Sequence, residues 1–531
     1  MTLTRDVTSV GTATLVSRTL AFLRDIWIAS VLGTGAAADA FFALMQFVNV
    51  LRHTLAEGAL NTAFIPMWLR VREESGQEGA LRFVHRVLLA TMLVTGIVAV
   101  ISFLFASPVI SILMPGFDAE RHEAAATYLR GASPYILFAA IGAVFVAWLC
   151  AERRVGAASI GIVAFNVVLL CALAWATELG TGTPAATGTL LAYSIALAGI
   201  AQVGVTGLAL WRPKAWTNSK ARQAFDFSQQ ALSESAPSKN ISRFFALATP
   251  GLLAAGMPQI KLMAGVMVAS SSAASVSWLY YTNRLYELPL AVISVIIATV
   301  LAARIAAGIR TADGSAIAGD QSHALEIALG ISLPAALALA LLAHDIAGGL
   351  FERGAFGASD TAAVAAALTA ICIGLPGHAL EKVFAAISLA HEDARLPMLT
   401  ALMGLATAVT GALLLFPSYG HVGVAAAIGA SGWVAAMLAG ATLIHRGWLR
   451  IDCVIGNRPL RLMAATGAMG VVLVSFQALT TAQIERANSS TIRFGILLIL
   501  TATGLATYVA ALQLFGIINV RSLAAQLRGR I

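Results

Sequence analysis

The chain has 531 residues, of which 59% are hydrophobic and only 11% charged, with a mean hydropathy of +0.83. Such a balance excludes an ordinary water-soluble domain and indicates a polytopic membrane protein. The net charge of +8 and pI near 9.6 need no nucleic-acid partner. In a topology with the N-terminus inside, 23 of the 34 basic residues fall in inner loops and termini and 4 in outer loops, the positive-inside pattern with both termini cytoplasmic.

At about 20 residues per span, fourteen apolar segments centre near residues 20, 52, 95, 139, 168, 198, 257, 292, 335, 376, 406, 433, 470 and 504. The first is interrupted by Arg18, Arg24 and Asp25, unlike a cleavable signal core, and is expected to stay as a helix. Segments one and two, Ser17 to Pro66, join through a Gly/Ala turn at Gly33 to Ala38. At helical spacing Thr14, Ser17, Arg18, Ala21, Arg24 and Asp25 share one face, and Asp39, Gln46, Asn49, His53, Glu57 and Asn61 share another, with Arg52 about 60° beyond its edge. Charges at bilayer depth are costly and must meet a partner or water. These two faces therefore predict a wet, charged cavity inside a helix bundle.

Leu69 to Arg86 reads as a charged inner loop, followed by a third helix from about Val84 to Ala106. The outer stretch Ser107 to Thr127 carries the turn signal Met114-Pro115-Gly116 and is long enough to fold over a cavity mouth. Pro134 is expected to kink the fourth helix. Helices five and six, near Ala158 to Thr177 and Ala186 to Trp211, hold few polar groups and read as packing and lipid-facing walls. Polar residues 212–242 then form a linker, with an interfacial helix expected near Arg222 to Leu232.

Beyond the linker the pattern recurs. Pro134 and Arg153 have the same nineteen-residue spacing as Pro376 and Arg395, so residues 1–211 and 243–447 read as two six-helix halves. Their repeat is parallel, about an axis along the membrane normal, and binding sites in such folds lie between the halves. Residues 448–531 add two further spans outside the repeat. Ser277, Tyr280, Arg284 and Glu287 share a narrow helical arc in the second half, with Lys261 in the preceding helix and Lys382 beside Glu381 in the tenth.

Two readings of these charges stand side by side. Arg18, Arg24, Arg52 and Arg284 suit an anion site, because a guanidinium donates two parallel hydrogen bonds to phosphate and stays protonated when partly dehydrated. Alternatively they pair internally: Arg24 or Arg18 with Asp25, Arg52 with Glu57 or Asp39, and Arg284 with Glu287. The two can alternate, with Asp25, Asp39, Glu57 and Glu287 gating or coupling transport. Asn49, His53, Lys261 and Lys382 are secondary candidates for lining the site. His53, His378 and His391 read as polar lining or loop residues, and Trp278, Tyr280, Tyr281 and Tyr286 as packing or interface anchors. Cys150, Cys171, Cys372 and Cys453 show no metal spacing. No nucleophile elbow, Walker loop or HExxH motif occurs, so neither an enzyme nor a cofactor is expected. Uphill work would draw on an ion gradient, the membrane potential or substrate flux.

The stretches SRTLAFLRD (Ser17 to Asp25), ADAFF (Ala38 to Phe42), NVLRHTLAEGALNTAFIP (Asn49 to Pro66), PGF (Pro115 to Phe117), SVSWLYYTNRLYELP (Ser275 to Pro289) and LFERGAF (Leu350 to Phe356), in that order, resemble the lipid II flippases (MurJ/MviN) of the multidrug/oligosaccharidyl-lipid/polysaccharide exporter superfamily. The resemblance implies export of the undecaprenyl-pyrophosphate-linked peptidoglycan precursor across the bacterial inner membrane by alternating access. It also implies that Arg18, Arg24, Arg52 and Arg284 are the essential cavity arginines, with Asp25, Asp39 and Glu57 at the acidic positions of the same motifs. His53 stands where the family often has a second arginine, and ATVLAARIAAG lacks the family's proline at the end of the eighth helix. The expected partners are the lipid-linked precursor, membrane lipids and cell-wall synthesis proteins, with no nucleic acid. The alternatives are export of another polyprenyl-linked glycan or amphiphile, and a non-transporting membrane scaffold for cell-wall enzymes.

Overall fold

The computed structural model describes residues 2–54, 60–152, 154–178, 180, 183–211, 256–297, 314–450, 457–486 and 490–517, which are helical apart from short connections. The candidate Glu57 and the linker expected at 212–242 lie outside the described residues. The chain divides into two compact units, Met1–Ser277 and Trp278–Ile531. Eight helices among the described residues are long and apolar enough to cross a membrane, and one bent pair adds a ninth. The protein is thus an all-helical, multi-pass membrane protein.

The first unit holds α1 (Thr2–Leu32), α2 (Ala36–Arg52), α3 (Leu60–Leu104), α4 (Ala106–Leu113), α5 (Ala119–Ala132), α6 (Pro134–Ala151), α7 (Val155–Glu178) and α8 (Pro184–Trp211), then α9 at 256–269. The expected loop at Leu69 to Arg86 is helical instead. Its residues are mostly good helix formers, and Arg70 meets Glu74 at 3.6 Å one turn on. Gly76 breaks the helix with φ of 67°. The Phe64 and Phe83 rings then meet at 5.5 Å, whereas nineteen residues of straight helix would separate them by about 28 Å. The two limbs of α3 therefore fold back on each other, and Trp68, Phe83 and Val87 pack with Ala143, Val144 and Ala147 of α6. Past this reversal Leu93, Ile97 and Ile101 are exposed, as lipid-facing residues should be.

Asp118 caps α5 by accepting the Arg121 backbone N–H, which satisfies one of the amides a helix start leaves open. Pro134 stands at the first position of α6, where its missing N–H costs nothing. It therefore starts a helix rather than kinking one.

The second unit continues α10 (Ser275–Ile296) and holds α11 (Gly314–Leu341), α12 (Ala343–Phe351), α13 (Ala358–Cys372), α14 (Leu375–Ala390), α15 (Arg395–His445), α16 (Asn457–Arg486) and α17 (Ser490–Leu514). A bend of 43° separates α13 from α14, with Pro376 in the first turn of α14. Inside α15, Gly420 takes φ of 55°, a conformation that L side chains rarely adopt. The chain reverses there, so closely that a Cβ on Gly423 would stand 2.7 Å from the Leu415 carbonyl oxygen. At the base of this hairpin Asp393 pairs with Arg446 and accepts the Arg395 backbone N–H at 2.8 Å. The Arg446 guanidinium, with that amide, holds the Asp393 carboxyl below its ordinary value.

The internal repeat extends beyond the proline spacing. Short helix, turn, capped helix and proline-led helix follow in the same order in α4 to α6 and in α12 to α14. Asp118 begins α5, and Asp360 accepts the Gly357 backbone N–H at 2.9 Å at the start of α13.

Candidate functional site

In the first unit Arg24 and Asp25 are buried together. The Arg24 Nε and Nη2 both donate to Asp25 Oδ1, at 3.0 and 2.7 Å, and Nη1 donates to Asn166 Oδ1 at 2.9 Å. The pairing of Arg24 with Asp25 agrees with one of the two expected readings. Asn166 was not anticipated, because α7 reads as a wall. It orients the guanidinium from the far side, and its own amide donates to the Ile162 carbonyl at 3.0 Å. Arg18, one and a half turns earlier on α1, is exposed.

Arg52 ends α2 half-buried, its Nη2 3.2 Å from His53 Nε2. Arg52 and Arg24 both lie within electrostatic reach of the Tyr135 phenol on α6. Further along α2, Asn49 is buried, and the Gln46 amide donates to Gln259 Oε1 of α9 at 3.1 Å. Lys261, two residues beyond Gln259, is also buried.

Asp39 has different partners from those expected. Its hydrogen-bond and ion-pair partners are Ala274, Ser277 and Arg121 rather than Arg52. The Ala274 N–H donates to Oδ2 at 2.8 Å, the Ser277 N–H and hydroxyl donate to Oδ1 at 2.9 and 2.6 Å, and Arg121 Nη1 approaches at 3.5 Å. The carboxylate thus satisfies the amides left open where a helix begins. Arg121, expected in an outer loop, is 4% exposed. It donates to the Ser270 and Ser272 carbonyls at 3.0 and 3.2 Å, to Asp118 at 3.1 Å, and lies over the Phe117 ring. The Arg121 backbone N–H, followed by its guanidinium, holds the Asp118 carboxyl below the usual range.

Gly116 makes the closest approach in this group: its N–H donates to Ser270 Oγ at 3.0 Å, and a Cβ would stand 2.3 Å from the Ser271 nitrogen. The stretch after α4 is thereby bound to residues 270–277. The only clue to Arg121 in the sequence was its place three residues after a helix-capping aspartate.

In the second unit Arg284 is half-buried on α10. Its Nη2 donates to the Tyr280 hydroxyl at 2.6 Å, its guanidinium lies 4.8 Å over the Tyr280 ring, and Nη1 meets Glu287 at 3.5 Å. The Asn283 amide donates to the other Glu287 oxygen at 2.9 Å. Lys382 of α14 lies within electrostatic reach of Glu381 and Glu287, which joins this secondary candidate to the Arg284 group. The aromatic run behaves as packing. Tyr281 is fully buried against Phe351 and Phe356, Trp278 Nε1 donates to Asp360 at 3.1 Å, and the Tyr286 hydroxyl sits 2.6 Å from His378 Nδ1.

A family model described as lipid II flippase MurJ matches residues 28–503. A Rhizobium meliloti protein named "Probable lipid II flippase MurJ" is 34% identical over 478 residues, covering 89% of this chain and 86% of the relative. A Rhizobium tropici protein of the same name is 30% identical over 532 residues, covering 99% and 97%. Among solved structures, "Lipid II flippase MurJ, inward closed conformation" superposes with a TM-score of 0.75 at 21% identity, covering 95% of this chain and 98% of that one. An inward-facing multidrug resistance MATE family transporter of the MOP superfamily superposes at 0.64 with 16% identity, covering 81% and 94%. The fold is therefore that of this transporter superfamily.

Proposed function

Because the chain belongs to the lipid II flippase MurJ family, we propose that it moves the undecaprenyl-pyrophosphate-linked peptidoglycan precursor from the inner to the outer leaflet of the bacterial inner membrane. Both termini face the cytoplasm in this reading, as the basic residues of the inner loops favour. The pyrophosphate and sugars enter a cationic cavity by alternating access while the polyprenyl tail stays in lipid. Arg18, Arg24, Arg52 and Arg284 hold the head group.

The observation that carries this reading is that membrane-embedded arginines in both units stand beside exchangeable partners. Arg284 has a phenol and a half-exposed carboxylate, and Arg52 has a neighbouring imidazole. A phosphate supplies stronger, charge-assisted bonds to the same guanidinium. Glu287 takes Arg284 back when the head group leaves, Asp25 keeps Arg24 aimed at the site throughout, and Asp39 with Arg121 holds the 107–127 stretch in place while the cavity is loaded from the cytoplasm. His53, Asn49, Lys261 and Lys382 line the path. Moving a net charge across the potential contributes about 2.3 kcal/mol per charge per 100 mV, enough to bias return of the empty, cationic protein.

Leaflet-resolved transport of purified lipid II in proteoliposomes tests this. Arg52→Ala and Arg284→Ala are expected to abolish delivery to the outer leaflet with unchanged reconstitution. Wild-type delivery by both variants would leave a scaffold role, since a scaffold tolerates their loss.

A further inference from the structure

Tyr135 follows Pro134 at the start of α6, and its side chain is fully buried. Two further helices hold its ring. The Phe165 ring of α7 lies 5.3 Å away, and Gly199 of α8 leaves room for the ring edge, since a Cβ there would stand 2.8 Å from Tyr135 Cδ2. None of this packing uses the oxygen, and a phenylalanine would fit the same space. Yet the hydroxyl is present, buried, and without a hydrogen-bond partner among the described residues.

Other tyrosines of the protein do place their hydroxyls. Tyr128 donates to the Ala185 carbonyl at 3.1 Å, Tyr508 to the Gly330 carbonyl at 2.8 Å, and Tyr286 meets His378 at 2.6 Å. Buried polar groups are nearly always bonded, so an exception calls for a physical account. What surrounds the Tyr135 phenol is cationic: Arg52 from the end of α2 and Arg24 from α1 both lie within electrostatic reach. Arg24 keeps Asp25 and Asn166 and Arg52 keeps His53, so the group left to satisfy is the phenol, and beside two cations the acceptor that suits it is an oxyanion, with several oxygens around one centre. Phosphate oxygens fit this description.

Resting on the arginine reading above, we propose that Tyr135 is a further substrate-binding residue whose phenol O–H donates a hydrogen bond to a phosphate oxygen of the lipid-linked diphosphate held by Arg52 and Arg24. A phenol suits this position because it donates without adding charge. It tightens the grip on the diphosphate without a third cation that would have to be neutralised once the head group departs. The hydroxyl bonds when the head group is present and, among the described residues, has no hydrogen-bond partner to give up beforehand.

The test is lipid II binding to the detergent-purified full chain, measured alongside thermal unfolding, for Tyr135→Phe and Arg52→Ala. Tyr135→Phe should bind roughly ten- to a hundredfold more weakly, in keeping with one hydrogen bond to a charged acceptor. Its melting temperature should equal or exceed that of the unsubstituted protein, because the deleted oxygen has no hydrogen-bond partner among the described residues. Unchanged affinity overturns the proposal. So does a lowered melting temperature at any affinity, because the hydroxyl would then hold the protein together. If Arg52→Ala loses binding while Tyr135→Phe keeps it, Tyr135 alone is wrongly assigned. If Arg52→Ala also binds normally, the arginine reading itself fails.

Discussion

Arg24 in the first unit and Arg284 in the second both have an acid close by in the chain, yet their surroundings differ. Arg24 is committed. Its side chain is 4% exposed, its counter-acid 0%, and three of its nitrogens are engaged by Asp25 and Asn166. Arg284 is 19% exposed, Glu287 35%, and one of its bonds goes to a neutral phenol. A buried pair that loses one member leaves a charge with nothing to balance it, whereas a half-exposed pair has water as an alternative partner. The difference teaches that the first arginine sets the shape of its site, and the second is the one able to change partners without disturbing its helix.

The strongest challenge to this contrast is a pair of acid deletions. Asp25→Ala should cost about 3–5 kcal/mol, the effect of stranding a buried charge. Glu287→Ala should stay within about 1 kcal/mol. Thermal unfolding in detergent separates them, and equal losses would erase the distinction. Next, Asp39→Asn sharpens the contrast within the first unit. An amide nitrogen would face the Ala274 N–H and Arg121, or the two donors of Ser277, so a loss of about 2–3 kcal/mol is expected. Arg121→Ala should reproduce much of that loss.

Arg284→Lys is the functional counterpart. The ammonium keeps the charge but loses the planar fork and the stacking on Tyr280. About tenfold slower lipid II transport, or about 1.4 kcal/mol, should appear with an unchanged melting temperature. A stability loss like that of Asp25→Ala would place Arg284 in the committed class.

The smallest effect is at the membrane surface. Because the Asp393 carboxyl is held below its ordinary value by Arg446, its pair with Arg446 is fully present above about pH 3.9, the unfolded aspartate value. That contribution is lost as pH falls through the lower folded value. Asp393→Asn should therefore lower the melting temperature slightly at pH 7 and remove part of the decline seen on acidification below pH 4.

Much of this architecture was legible beforehand. The apolar segments near residues 168, 198, 470 and 504 correspond to α7, α8, α16 and α17, because membrane helices announce themselves by run length alone. Arg284 with Glu287 was readable because helical neighbours three or four residues apart lie close in space. Arg24 with Asp25 was readable because the two are adjacent in the chain and the long arginine can bend back to its neighbour. The partners of Asp39 were not. Arg121 lies 82 residues away in a stretch that also carries Glu120 and Glu123, and its composition looks solvated. Asn166 sits 142 residues from Arg24 in an otherwise apolar helix. The helical limb before Gly76 was also missed, since its charges suggested a loop although they suit a surface helix equally well.

The amino-acid order by itself determined that this is a helical membrane protein with arginines and carboxylates at bilayer depth, because hydropathy and the 3.6-residue period are local properties of a chain. Only the tertiary structure decided which acid answers which arginine, that Asp39 is bonded by amides and Arg121, and that the Tyr135 hydroxyl is buried with no hydrogen-bond partner among the described residues. Those outcomes depend on contacts between helices tens to hundreds of residues apart, where burial strengthens a charge's interactions and no periodicity reaches.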